Sequence, residues 1–165
     1  MFSPLHLFVL FAVSVLLSVF LQVYVAPLFS IREVAPDFIL ITVIAISLQK
    51  GKIWGVIAGF VVGVLFDSLS TGMIGLSSLA KTIAAFTAGV FVGERLERSF
   101  GAIAGFLFIV LLIHDAMYFI IASIGTAVSF WSALFKYALP TTLYTLTFMV
   151  MAHLLWPRVL WGKAR

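Results

Sequence analysis

Six apolar stretches, separated by a proline, a glycine or a few charges, leave this chain almost nothing with which to face water. Hydrophobic residues make up 64% of its 165 positions and charged residues 10%, where a soluble domain carries about 25% charged residues. Six membrane-crossing helices of about 20 residues would use about 120 positions and leave about 45 for termini and turns. A soluble catalytic domain, a Rossmann unit or an extramembrane receptor has no room. The expected fold is an all-α integral membrane protein, a bundle of six transmembrane helices forming a single transmembrane domain over 1–165.

Punctuation places the helices at about 5–26, 36–49, 53–69, 75–93, 100–123 and 130–156. Pro27 stops the first. Pro36 suits the first turn of the second, and Asp37 favours the positive end of its dipole. That second helix is short: about 14 residues rise roughly 21 Å against a hydrocarbon core of about 30 Å, so five crossings replace six if it does not pass through. Lys50-Gly51-Lys52 and Ser70-Thr71-Gly72 read as turns, and Gly125-Thr126 as an end signal. Pro140 removes one hydrogen bond from the last helix, with Thr141 and Thr142 at hand to satisfy freed groups. No Lys or Arg precedes Arg32, so the charged start of a secretory signal is missing and the first stretch reads as a retained helix.

Six crossings put the N-terminus, the 49–52 and 94–99 turns and the C-terminus on one side. Lys50, Lys52, Arg95, Arg98, Arg158, Lys163 and Arg165 lie there, against Arg32 and Lys136 on the other. This excess of basic residues places both termini in the cytoplasm. Trp54 and Trp156 fall at the inner interface and Trp131 at the outer one. The net charge of +4 is scattered rather than gathered into a patch for nucleic acid. Cysteine is absent, which removes disulfide and thiolate chemistry. His6, His114 and His153 are far apart, no metal or cofactor motif is present, and no cofactor is expected.

Gly55, Gly59, Gly63 and Asp67 recur every four residues and form one slowly precessing stripe on the third helix. Small residues let helix backbones approach closely in lipid. The stripe reads either as a packing surface for the fourth or fifth helix or as a docking groove or pocket surface for a partner's transmembrane helix. Gly89 and Gly93, and Gly101 and Gly105, read as further packing pairs. Arg95 and Arg98, in the run Glu94-Arg95-Leu96-Glu97-Arg98, read as a solvated turn or a cytoplasmic protein contact.

Asp67, Lys81 and Asp115 fall inside the predicted spans, where charge is costly without a partner. From the outer helix ends, Lys81 lies about 9 Å deep, Asp115 about 13 Å and Asp67 about 3–5 Å. This spacing predicts that Lys81 sits between Asp67 and Asp115, with His114, water or a protonated carboxylate relieving the excess negative charge. A polar clasp joining the third, fourth and fifth helices is the expected role. A proton pathway lacks acidic residues in the inner half.

Several of these residues carry a family resemblance. Pro36-Asp37-Phe38, Gln49-Lys50-Gly51-Lys52, the run from Gly55 to Gly63, Phe66-Asp67 and Gly72-Met73-Ile74-Gly75-Leu76 occur in an order and spacing that resemble the MreD family of bacterial rod-shape-determining membrane proteins. The characteristic part covers about 36–98. The resemblance implies a component of the cell-elongation machinery in the cytoplasmic (inner) membrane. It implies association with the transmembrane helix of MreC and, through it, with RodA, its partner transpeptidase and MreB filaments. It also implies a six-helix fold similar to the substrate-binding subunits of energy-coupling-factor transporters.

The leading expectation is therefore a non-enzymatic scaffold that binds MreC and helps regulate peptidoglycan synthesis and rod shape. The alternative is a vitamin-binding subunit of an energy-coupling-factor transporter, for which Thr71, Ser77 and Ser78 are ordinary polar candidates. A membrane enzyme lacks the clustered acids or histidines that metal-dependent lipid chemistry needs.

Overall fold

The computed structural model describes residues 4–31, 34–70, 73–91, 100–124 and 126–155. Apart from one isolated bridge between Ile31 and Val34, the regular structure of these residues is helical. Helix α1 (Pro4–Phe20) runs without a break into a π-helical turn, Leu21–Val25, and a 3-10 turn, Ala26–Phe29. Helices α2 (Phe38–Lys50), α3 (Lys52–Leu69), α4 (Leu76–Phe91) and α5 (Phe100–Ser123) follow. The last rod is composite: α6 (Phe130–Ser132), a π-helical segment Ala133–Ala138, and α7 (Leu139–Leu155). Arg32, Arg95, Arg98, Trp156, Arg158, Lys163, Arg165, Gly93 and Gly125 lie outside the described residues, so much of the charge count behind the expected orientation does too.

Four segments are long and apolar enough to cross a membrane: Val9–Phe29, Lys52–Leu69, Gly101–Ser123 and Phe130–Leu155. The other two, α2 and α4, have 13 and 16 residues, about 20 Å and 24 Å of rise, and these short helices form the inside of the bundle. In α2, Ile39, Leu40, Val43, Ile44, Ala45, Ser47 and Leu48 are all buried, so the helix is enclosed on nearly every side. Its Leu40, Ile44 and Leu48 pack with Ala84 and Ala88 of α4, Leu107, Val110 and Leu111 of α5 and Met149 of α7. Its other face, Ile39 and Val43, meets Val15 of α1, Ala58 and Val62 of α3 and Ala85 of α4. A helix that is apolar on nearly every side suits such a central position. The longer helices turn Leu16, Leu17, Phe20, Ile53, Phe60, Leu65 and Ile109 outward, as lipid-facing surfaces do.

The glycine stripe is closed by the chain itself. Helices α3 and α4 run antiparallel in close contact along their length. A Cβ added at Gly63 would strike the Ser78 backbone, and one at Gly59 would come within 2.8 Å of the Lys81 carbonyl oxygen. At Gly55 it would meet Ser47 of α2, and at Gly89 of α4 it would meet Lys52. Of the two readings of the stripe, a packing surface and a docking groove, the contacts fit the first: along Gly55, Gly59 and Gly63 it is an internal seam, filled by α4 and by the end of α2. Hydroxyls stitch the same seam: Ser78 Oγ donates to the Phe60 carbonyl at 3.2 Å, and Ser47 Oγ donates to the Ala85 carbonyl. Gly101 and Gly105, by contrast, have no described atom near an added Cβ, so the close packing expected of that pair does not form among the described residues.

Two prolines shape the composite rods. A proline ring clashes with the carbonyl four residues earlier and brings no N–H of its own. The turn before each widens to i→i+5 bonding: the Ala26 N–H reaches the Leu21 carbonyl ahead of Pro27, and the Leu139 N–H reaches the Leu134 carbonyl ahead of Pro140. Helical structure therefore continues past Pro27 to Phe29 rather than stopping there. Thr141 Oγ1 donates to the Tyr137 carbonyl at 2.8 Å, satisfying one group near the break.

Substituting Gly63→Leu should force α3 from α4 and destabilise the bundle by about 1–3 kcal/mol or more. Gly101→Ala should be neutral or stabilising by up to about 1 kcal/mol through helix propensity. Thermal unfolding of the two purified variants in the same detergent checks the contrast, and equal losses would show that the seam is not tight.

Candidate functional site

Apart from Ser47 near the far end of α2, most of the polar side chains that the fold buries lie in the half of the bundle around the start of α2. Ahead of it, the backbones of Ile31 and Val34 exchange hydrogen bonds of 2.8 and 3.0 Å, and Asp37 stands in an extended conformation. Helix α2 then begins at Phe38 with Asp37 as its N-cap, two positions beyond the proline expected to open it. The first N–H groups of any helix lack intrahelical partners. Here they are buried and must be met by the protein. Asp37 Oδ1 accepts from the Leu40 N–H at 2.7 Å. Gln22 Oε1 accepts from the Phe38 N–H at 2.7 Å, while its Nε2 donates to the Pro36 carbonyl at 3.3 Å. The Asp37 N–H donates to Thr145 Oγ1 of α7 at 3.1 Å. Gln22 lies in the π-helical turn ahead of Pro27, so the widened turn positions the amide that caps α2.

The second carboxylate oxygen of Asp37 takes the countercharge. Lys81 Nζ donates to Asp37 Oδ2 at 2.9 Å, with side chains 3% and 16% exposed for Lys81 and Asp37. The ammonium also lies 5.5 Å from the centre of the Phe66 ring, a cation–π contact that adds stabilisation where water is excluded. The pair binds α4 to α2, and the dipole of α2 reinforces the placement of a negative charge at its start.

This geometry corrects the expected cluster. Among the described residues Lys81 is ion-paired with Asp37 and not with Asp67 or Asp115. Asp67 is instead a cap for the α3–α4 hairpin. Its Oδ2 accepts from the Gly75 N–H at 2.8 Å and the Ser78 N–H at 3.3 Å, and its Oδ1 from the Ser77 N–H at 3.3 Å. Gly75 stands at φ +94°, in the left-handed region that suits glycine, and this aims its N–H at the carboxylate. With three backbone donors Asp67 needs no lysine. Asp115 is held on α5 by Thr142 Oγ1 of α7, which donates at 2.7 Å, and by the adjacent His114 Nδ1 at 2.9 Å. Thr142 therefore serves Asp115 and not the backbone groups freed by Pro140.

The result is three separate polar devices rather than one triad. They are a hairpin cap at Asp67, an ion pair at Asp37–Lys81 and a dyad at His114–Asp115, and each joins different helices. Gln22, Thr145 and the pairing role of Asp37 escape a reading of charges within spans, because two are uncharged and Asp37 sits just before its helix. The available signal was the short second helix: its start has to lie inside, where its N–H groups demand side-chain partners. No group of three or more metal-binding side chains is assembled among the described residues. The arrangement supplies buried hydrogen bonds and paired charge.

Breaking a buried ion pair by removing one partner costs about 3–5 kcal/mol, whereas replacing both is far milder. Lys81→Met should therefore destabilise the chain strongly, and Asp37→Asn, Lys81→Met together should recover much of the loss. A double-mutant cycle of Lys81 with Asp67 should give a much smaller coupling than one of Lys81 with Asp37, because only the second pair is in direct contact. Strong coupling of Lys81 to Asp67, and none to Asp37, would reverse the assignment. Unfolding in detergent measures all of these.

Comparison with known proteins fits the geometry into a family. Neither a curated protein nor a solved structure matches this chain. The family model described as rod shape-determining protein MreD matches residues 4–161; it represents shape-determining membrane proteins, with a role in rod-shape determination, and not a known class of enzyme. That match takes in all six rods and every residue of the buried polar cluster, so the chain belongs to the MreD family.

Proposed function

We propose that this protein is a non-enzymatic scaffold of the bacterial cell-elongation complex, which receives the transmembrane helix of MreC and helps regulate peptidoglycan synthesis. It sits in the cytoplasmic membrane with six crossings, α2 and α4 included, and with both termini in the cytoplasm. Through MreC it joins the RodA–transpeptidase synthase and MreB filaments. The observation that carries this reading is the family match over residues 4–161.

The structure supports the character of the role. Asp37, Asp67, Lys81, His114 and Asp115, all charged or titratable, are at most half-exposed and turned to one another or to backbone donors. Such a chain offers its surroundings shape and apolar contact rather than reactive groups. The internal seam at Gly55, Gly59 and Gly63 belongs to α4, so MreC meets a surface other than that stripe.

In a rod-shaped bacterium depleted of its own MreD protein, the wild-type chain should restore rods and co-purify with MreC from solubilised membranes. Lys81→Met should fail at both, with less protein in the membrane. Asp37→Asn, Lys81→Met should recover membrane accumulation and, with it, rod shape. A wild-type chain that accumulates normally yet leaves cells round and brings down no MreC defeats the reading.

A further inference from the structure

We propose that Lys136 holds the phosphate of an anionic phospholipid, in the leaflet at the Phe130 end of the last rod. In the orientation proposed above this is the outer leaflet. Lys136 is exposed and stands in the π-helical segment Ala133–Ala138, within a rod long and apolar enough to cross a membrane. Neither ion pair among the described residues includes it. Its Nζ lies 5.4 Å from the centre of the Tyr137 ring, and that ring stacks on Phe119 of α5 with centres 5.8 Å apart. A charge on the lipid side of a span is costly without an opposite charge, and an aromatic face offers only a partial one.

Depth selects the partner. The last rod, Phe130–Leu155, has 26 residues, about 39 Å of rise against a hydrocarbon core of about 30 Å. Centred in the membrane, it extends about 4–5 Å beyond the core at each end. Lys136 is about 9 Å along from Phe130, so its Cα lies about 4–5 Å inside the hydrocarbon boundary. A lysine stem of about 6 Å spans that distance and brings the ammonium to the level of the phosphates. Lysine binds phosphate well as a compact point charge.

The surroundings have the layering of a phospholipid. Nearer the surface, Trp131 and Phe135 are both exposed and stack with ring centres 5.9 Å apart, as interfacial aromatics do. Two turns deeper Leu143 is exposed, an apolar surface for an acyl chain. Every phospholipid carries a phosphate, but a zwitterionic headgroup supplies its own cation. A headgroup with net negative charge does not, so one lysine near the surface should favour it about fivefold.

The test reads the lipid beside Trp131 in the full chain. Trp54→Phe, Trp156→Phe and Trp161→Phe leave Trp131 as the single indole of the four in the sequence. This chain is placed in phosphatidylcholine nanodiscs that hold a small, equal fraction of brominated phosphatidylglycerol or brominated phosphatidylcholine. Bromine quenches indole fluorescence on contact. The phosphatidylglycerol should quench Trp131 as though enriched about fivefold over its bulk fraction. Lys136→Gln should abolish the enrichment, Lys136→Arg should keep it, and added inorganic phosphate should leave it unchanged. Equal quenching by the two lipids, or enrichment that survives in Lys136→Gln, overturns the proposal. So does a Lys136→Gln chain that unfolds more easily than wild type in maltoside micelles, where there is no phosphate. That result would assign the countercharge to an acid of the chain itself, such as Glu33.

Discussion

A helix that starts inside an apolar bundle cannot leave its first N–H groups to water, and the beginning of α2 is where this chain meets that constraint. Lipid and packed side chains offer no hydrogen bonds, so each donor must find a protein acceptor. Three rods send one. The π-helical turn after α1 contributes Gln22, α2 itself contributes Asp37, and α7 contributes Thr145. The carboxylate that caps the helix brings a charge inside with it, and Lys81 of α4 neutralises that charge. Four of the six rods are thereby tied to one helix end, and the polar chemistry of this half of the bundle follows from it.

The small-residue seam and the ion pair act as one device. Glycine at position 59 lets the α4 backbone come so near that an added Cβ would lie 2.8 Å from the Lys81 carbonyl. Because the backbone of Lys81 is pressed to α3, its side chain extends past Phe66 toward α2 and reaches Asp37. Asp67 then closes the hairpin by taking three N–H groups at the start of α4, which fixes how far along α3 the lysine stands. A wider seam would cost more than dispersion energy: it would carry the ammonium away from its carboxylate and leave both in an apolar interior, where each is expensive.

The helical character and the six rods were legible because apolar periodicity and punctuating residues act locally. The four-residue spacing of Gly55, Gly59 and Gly63 likewise announced a close helix contact, and Lys81 announced that an acid must be near. What spacing could not supply was direction around the helix and identity of the neighbour. Depth alone suits Lys81 to three carboxylates, and only the packing of α4 against both α2 and α3 selects Asp37. Asp67 looked like an intramembrane charge in need of a cation because its true partners are backbone N–H groups, which every residue has and no motif reveals. Pro27 misled in the same way. It forbids an ordinary helical hydrogen bond but leaves a widened turn as an alternative to a stop, as Pro140 does within the last rod.

Turning its charges inward decides what kind of part such a chain can be. An intramembrane ionisable group that faced a cavity or lipid would point to transport or to binding of a polar ligand. Here the buried charges among the described residues are taken up by one another, by hydroxyls and by backbone N–H groups, while Lys50, Lys52 and Lys136 are exposed and many outward positions carry Leu, Ile, Val and Phe. The polar half lies toward the start of α2, which is the outer half when both termini are cytoplasmic. On the function proposed above, a bundle stiffened there can hold a partner's membrane helix at a fixed tilt through shape and apolar contact. For the role proposed above, rigidity at that end matters because a small rotation at the membrane surface becomes a large displacement of any domain carried beyond it.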